Sequence, residues 1–325
     1  MNRAPPPREH THSYYAATIK RPTNYPALTG QVSADICVVG AGFTGVATAL
    51  SLAERGYSVV LVEANRVGWG ASGRNGGQII SGMSGLAKIE ARHGASVAGA
   101  VRDLKWRGND IIRERVAKYD IDCDLKDGYV EVAASPRQVN WLADYAAERE
   151  AEASGHRYAI WDRDTTRDML GTDAFHGGFA CFRDGHVHPL NLCIGEARAA
   201  ESLGARIFEQ SPVLSIRHGR RPRVVTDRGE VDADTVVLAG NAYSRLEPKH
   251  VSNYVFPAGS YIIATEPLSE EVAASINRQD VAVCDLNNVV DYYRLSADRR
   301  LLYGGACIYS GRDPDSLCSY ILPRM

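Results

Sequence analysis

Between Ile36 and Ala53 the chain runs eighteen residues without a charge, about the length that crosses a bilayer. The order of residues within the run argues against a membrane helix. Ile36-Cys37-Val38-Val39 is apolar and mostly β-branched, the pattern of a buried strand. "FTGVATALSLAERG" (Phe43–Gly56) is rich in helix formers and closes on a glycine. "YSVVLVE" (Tyr57–Glu63) is a second buried strand ending in an acid. Farther along, 96–119 and 137–154 carry helical patterns, and "CDLKDGYVEVAAS" predicts a short strand pair turned at Asp127-Gly128. Residues 175–182 predict another strand. Pro189 suits the first turn of a helix that Gly204 ends, with Leu190, Cys193, Ile194 and Ala197 on one face. Thr235–Ala239 is an apolar run suited to a central parallel strand. Beyond Tyr254 strands and turns dominate, which predicts a separate, largely antiparallel sheet.

The turn between the first strand and helix carries Gly40, Gly42 and Gly45, the G-x-G-x-x-G spacing. The first glycine permits the turn, the second lets the backbone approach a pyrophosphate, and the third lets helix pack on strand. The helix N-terminus offers unpaired N–H groups to phosphate. Glu63 follows Gly45 by eighteen residues, where a carboxylate can accept from a ribose hydroxyl. These features point to a dinucleotide.

Composition narrows the class. A chain of 325 residues has room for roughly two domains. A net charge of −2 makes no general case for nucleic acid or anionic membrane as partner. "MNRAPPPREHTH" has no apolar core of a secretory signal and reads as a flexible tail. The seven cysteines are scattered and none forms C-x-x-C, so reduced thiols in a cytoplasmic protein are expected. The histidines show no metal spacing. His186 and His188 stand two apart with no thiol or carboxylate to complete a set, and read as loop and cap residues.

The choice of nucleotide rests on the residues after Glu63. "ANRVGWGASGRNGGQI" packs Gly68, Gly70, Gly73, Gly76 and Gly77 among Arg66, Ala71, Ser72, Arg74, Asn75 and Gln78. A simple NAD domain has no use for a second glycine-rich loop here. A flavin domain does, because the ribityl chain and ring lie beyond the pyrophosphate and need close backbone approach. Arg66 is expected near the adenine-ribose end.

"VVGAGFTGVATALSLAERGYSVVLVEANRVGWGASGRNGGQ" resembles the D-amino-acid-oxidase-type FAD-dependent oxidoreductases. "TNYPALTG", "HVHPLNL" and "LLYGGACIYSGRDP" resemble the branch that oxidises gamma-glutamylputrescine. The resemblance implies an α/β fold, an FAD-binding Rossmann-like doubly wound sheet with an interleaved, largely antiparallel substrate domain. It places a tail and lead-in at 1–30, the FAD-binding domain at 31–120 and 156–250, and the substrate domain at 121–155 and 251–325. It implies oxidation of an amine C–N bond, with release of aldehyde, ammonia and hydrogen peroxide, and oxygen or another acceptor taking the electrons. It implies non-covalent FAD, since the second glycine loop has no histidine. The expected cofactor residues are Gly40, Gly42, Phe43, Thr44, Gly45, Glu63, Arg66, Gly70, Ala71, Ser72, Arg74, Asn75, Gly76, Gly77 and Gln78. Val213 is added for backbone bonds to adenine, and Ala239 and Gly240 for the end of the central strand. Family chains continue past the point where this one stops, so a flavin site open on one side is expected, with weaker activity.

The reaction needs no protein nucleophile, and none is assigned. Tyr292 and Arg294, two apart in a strand, share a face and suit a substrate carboxylate, with Tyr261 in another strand of the same sheet. Two alternatives stand beside the amine oxidase: an FAD-dependent amino-acid dehydrogenase, and an inactive flavin-binding remnant.

Overall fold

The computed structural model describes residues 8–81, 85–152, 157–247, 249–310 and 313–325. In chain order, α1 (Tyr14–Ala17) precedes β1 (Gly30–Val39), α2 (Phe43–Ala53) and β2 (Val59–Val62). The short β3 (Gln78–Ile79) is followed by α3 (Leu86–His93), α4 (Ala95–Lys118), β4 (Lys126–Val132), α5 (Pro136–Glu152), β5 (Tyr158–Trp161), α6 (Arg163–Leu170) and β6 (Gly178–His186). Next come α7 (Pro189–Ser202), β7 (Arg206–Phe208), β8 (Val213–Arg217), β9 (Arg223–Thr226) and β10 (Gly229–Leu238). The last are β11 (Gly259–Ala264), α8 (Glu270–Ile276), β12 (Ala282–Asp285), β13 (Tyr292–Leu295), β14 (Leu301–Ile308) and α9 (Leu317–Ile321).

The chain forms two compact units. The first comprises residues 1–75, 118–123 and 189–257 and holds a six-stranded sheet in the order β7-β2-β1-β10-β9-β8. β7, β2, β1 and β10 run parallel, and β10, β9 and β8 form an antiparallel meander. The uncharged run explains the centre: Cys37, Val38, Val60 and Leu61 are fully buried, and each such Val or Leu contributes about 1.5–3 kcal/mol on burial. α2 buries Val46, Ala49 and Leu50 on its inner face. The apolar stretch that matches a bilayer in length is thus the end of a strand, a glycine turn and a helix. Among the described residues no helix is long and apolar enough to cross a membrane.

The second unit comprises residues 76–117, 124–188 and 258–325. Its sheet runs β11-β14-β13-β12-β4-β6-β3, with β5 added on β6. All neighbours are antiparallel except the β12–β4 pair. Val130, Val132, Ala180, Val281 and Val283 form its core. β6 pairs with β4 and β5 with β6, so 157–188 lies in this unit, whereas the boundaries drawn from sequence group it with the dinucleotide half.

Two local expectations are corrected. The predicted strand pair at Asp127-Gly128 is one strand, β4, whose pairing with β6 shifts register between Asp127 and Tyr129. Gly128 takes φ +108, and a Cβ there would stand 2.5 Å from Val281 Cγ1, so the glycine makes a bulge rather than a hairpin. The tail expected to be free through residue 12 is tied down at Arg8 and Glu9; residues 1–7 lie outside the described residues.

Candidate cofactor site

In the first unit the glycine turn sits at the carboxyl ends of β1 and β10, where doubly wound sheets bind nucleotides. Gly40 has φ +105 and donates its N–H to Val62 O at 2.8 Å. A Cβ at Gly40 would stand 2.7 Å from Ala239 O, and one at Gly45 would stand 1.8 Å from Gly40 O. Backbone therefore touches backbone at Gly40 and Gly45, while a Cβ at Gly42 would stand 2.8 Å from Ser72 Oγ. Gly42 is the N-cap of α2 and offers no side chain to cap it. Phe43 N–H donates to Ser72 Oγ at 2.9 Å. The first-turn N–H groups of Thr44 and Gly45 have no intrahelical acceptor, and the helix dipole adds a partial positive charge there.

Glu63 ends β2 and is half-buried. Its Oε2 accepts from Ala41 N–H at 2.7 Å and its Oε1 from Asn65 N–H at 2.9 Å. Burial raises its carboxyl above the usual range, and these two N–H groups oppose the shift. The carboxylate is thereby fixed beside the turn.

Arg66 is spoken for by protein groups. Its Nη1 donates to Glu209 Oε2 at 2.8 Å, while Nε and Nη2 fork onto Glu9 at 2.8 and 2.7 Å. Glu209 is fully buried and also accepts from Thr23 Oγ1, Tyr25 N–H and Val67 N–H. Sequence reasoning missed Glu9 and Glu209. The signal for Glu209 was present, since it closes the strand "ARIFE" as Glu63 closes β2.

The second glycine loop is built differently. A Cβ at Gly70 would meet the Tyr243 ring at 2.8 Å. Trp69 packs edge-on against Tyr243 with centroids 5.6 Å apart, and the Arg74 guanidinium lies 4.8 Å over the Trp69 ring. Arg74 Nη2 also donates to Tyr243 Oη at 3.2 Å. Ala71–Gly73 form a single 3-10 turn, tied by Asn75 Nδ2 to Ala71 O and Ser72 O. Ala239 N–H donates to Val39 O at 2.8 Å, and Gly240 follows it directly. Val213 opens β8 and packs against the apolar core of this unit.

Gly76 opens the second unit. Gly77 O accepts from Val187 N–H at 2.7 Å, and Gln78 Nε2 donates to Val283 O at 3.2 Å. Tyr292 lies against Gly76 and Gly304, where a Cβ would stand 2.8 and 2.4 Å from its ring. Arg294 is buried and donates to Gly76 O at 2.7 Å, Val187 O at 2.8 Å and Leu295 O at 3.1 Å. Tyr292 and Arg294 share a face, as the alternation required. Tyr261 does not join them: it pairs with Gly305, one residue out of phase with the Tyr292–Gly304 pair, and donates to Asp313 Oδ1 at 3.0 Å. His186 is buried in β6 rather than in a loop. Its Nε2 must carry the proton, because it faces Asp280 O at 2.9 Å, and Nδ1 has no partner among the described residues. Burial first, and the Arg294 charge second, push its pKa down to about 3.

The sequence profile of the family "DAO: FAD dependent oxidoreductase" matches residues 35–324. The chain belongs to this family of FAD-dependent oxidoreductases. It is 40% identical over 320 residues to the gamma-glutamylputrescine oxidoreductase of Escherichia coli (strain K12), covering 98% of this chain and 75% of that one. It is 41% identical over 303 residues to the "Probable oxidoreductase OrdL" of Haemophilus influenzae, covering 91% and 70%. Among solved structures, glycine oxidase from Geobacillus kaustophilus aligns with TM-score 0.68 and 21% identity over 90% of this chain and 77% of that one. L-proline dehydrogenase from P. horikoshii aligns with TM-score 0.70 and 18% identity over 91% and 78%. As a DAO-family enzyme the protein takes FAD, and the residues present fit it. Gly42 leaves backbone where a side chain would meet Ser72 Oγ, the N–H groups of Thr44 and Gly45 at the start of α2 stay open beside the one that Ser72 caps, and a fixed carboxylate stands at the end of the next strand.

Proposed function

We propose that this oxidoreductase oxidises the C–N bond of a primary amine, gamma-glutamylputrescine or a close analogue. The observation that carries the reading is the 40% identity, over 98% of the chain, to the Escherichia coli gamma-glutamylputrescine oxidoreductase. The bound FAD would supply the two-electron chemistry. Amine, oxygen and water would yield aldehyde, ammonia and hydrogen peroxide, which balances for a primary amine.

In this reading FAD is held without a covalent bond. The N–H groups of Thr44 and Gly45 receive the pyrophosphate, and Glu63 accepts from the ribose. Val213, Ala239 and Gly240 border the adenosine half, and Gly70–Gln78 lead toward the ring. Tyr292 is the residue we assign to the substrate side. Arg294, with its fork on three carbonyls, supports the Gly76–Gln78 backbone instead of gripping a carboxylate. Tyr261, out of phase with Tyr292, is left out of this assignment.

The test is purification with FAD and measurement of peroxide release with gamma-glutamylputrescine, putrescine, glycine, D-alanine and proline. Turnover is expected with gamma-glutamylputrescine well above the others. Flavin bleaching by proline or D-alanine, with no response to the amine, would replace this reading by an amino-acid dehydrogenase.

A further inference from the structure

The residues just before α1 make contacts that the cofactor fold does not need for its own sake. Arg8 N–H donates to Asn65 Oδ1 at 2.8 Å. The Glu9 carboxylate forks onto Arg66 at 2.8 and 2.7 Å, and its Oε1 also accepts from Gln210 Nε2 at 2.9 Å. Glu9 O accepts from Trp69 Nε1 at 3.0 Å. Two consecutive residues thus make five hydrogen bonds to Asn65, Arg66, Trp69 and Gln210.

Those four targets have one thing in common. Asn65, Arg66 and Trp69 follow the carboxyl end of β2, and Gln210 follows that of β7, its parallel neighbour. Nucleotides lie outside the carboxyl ends of parallel strands. Glu63, on β2, marks the ribose, so the β2–β7 edge is the adenosine side. Gln210 N–H donates to Asn65 O at 2.9 Å, joining the two strand ends under the segment. From Trp69 the contacts continue to Arg74 and Tyr243 of the second glycine loop.

We propose that Arg8 and Glu9 form a strap that holds the adenosine half of FAD, with Glu9 a positioning residue that acts through Arg66 and Trp69. The proposal rests on the FAD site described above. The Glu9 side chain is 67% exposed while Arg66 is 16% exposed. An exposed ion pair contributes little to global stability, so the fold has little to lose if Glu9 changes. A bidentate Arg–carboxylate pair does fix geometry, and here it fixes the side chain that separates the strap from buried Glu209.

The experiment compares the wild-type chain, Glu9→Gln, Glu9→Asp and a chain lacking residues 1–10. FAD release is followed by recovery of flavin fluorescence, ADP affinity by calorimetry, and apoprotein melting by circular dichroism. Glu9→Gln and the shortened chain are expected to weaken FAD binding about tenfold, mostly through faster release, as loss of charge-assisted hydrogen bonds predicts. ADP, which carries the adenosine half alone, should lose the same factor, and Glu9→Asp should recover part of it. The apoprotein melting temperature should stay where it is. Wild-type release rates in both Glu9→Gln and the shortened chain would overturn the strap and leave the FAD site standing. A fall in apoprotein melting that accounts for the weaker binding would make the segment a structural brace and overturn the proposal. A wild-type chain that binds neither FAD nor ADP would overturn both.

Discussion

The two glycine-rich segments look alike as sequence and behave as different objects. In the first turn the would-be Cβ atoms of Gly40 and Gly45 meet backbone oxygens, at 2.7 and 1.8 Å. In the second, those of Gly70 and Gly76 meet the rings of Tyr243 and Tyr292, both at 2.8 Å. Backbone that is hydrogen-bonded into a sheet cannot step aside, whereas a ring can rotate or be replaced. The first turn is therefore a fixed cradle. The second is pinned by backbone at Gly73, whose Cβ would stand 2.2 Å from Gly68 O, but at Gly70 and Gly76 it takes its shape from the side chains that stand over it.

Four expected outcomes probe that contrast. The largest effect belongs to Gly45→Ala, which drives a methyl group into Gly40 O. It should destabilise the first unit by more than about 3 kcal/mol, seen as a lost or much earlier urea transition and no bound FAD. A stable, yellow Gly45→Ala protein would show that the cradle yields. Next is Glu63→Ala, which removes the acceptor of two backbone N–H groups and the assigned ribose contact. FAD affinity should fall about ten- to a hundredfold, for a charge-assisted bond of roughly 1.5–3 kcal/mol, measured by flavin fluorescence titration.

His186 lies beside the second loop, paired with Gln78 across β3 and β6. Its folded-state pKa, near 3, lies below the ordinary histidine value of 6.5. The unfolded chain therefore takes up a proton first as pH falls. The neutral histidine costs the fold nothing above about pH 6.5, and stability declines from there toward pH 3 by about 1.4 kcal/mol per pH unit. His186→Gln should keep a donor for Asp280 O and flatten this decline, by roughly 2 kcal/mol at pH 5, in urea midpoints measured across pH. An unchanged slope would mean that the histidine is solvated. The smallest effect is that of Gly70→Ala. It should cost about 1 kcal/mol or less and be largely recovered in a Tyr243→Leu background. A cost that persists in that background would erase the distinction between the two loops.

Legibility in the sequence divides along the same line. The β1–turn–α2–β2 unit is local: Gly45 answers to Gly40 within the turn, and Gly40 to Ala239 on the strand read as central. Alternation also put Tyr292 and Arg294 on one face. What Arg294 touches was not legible, because Gly76 and Val187 lie 218 and 107 residues away along the chain. Glu209 and Glu9 escaped notice for the same reason: the Arg66 that joins them reaches 143 residues forward and 57 back. A charged residue in a loop shows its valence in the sequence but not its partner. Gly128 misled for a different reason. Asp-Gly is a strong hairpin signal, but here the glycine makes room for Val281, a residue no local pattern could supply.

The pairing of Gly30 with Gly229 bears on how the protein is made. β1 leaves the ribosome early, yet the neighbour that covers one of its edges lies roughly 200 residues downstream. At about 5–20 residues per second of translation, that edge waits on the order of 10–40 s for its partner. During this interval a strand whose second half, Ile36–Val39, is wholly apolar presents open ladder groups. A nascent chain of this design depends on whatever shields its first strand until β10 arrives.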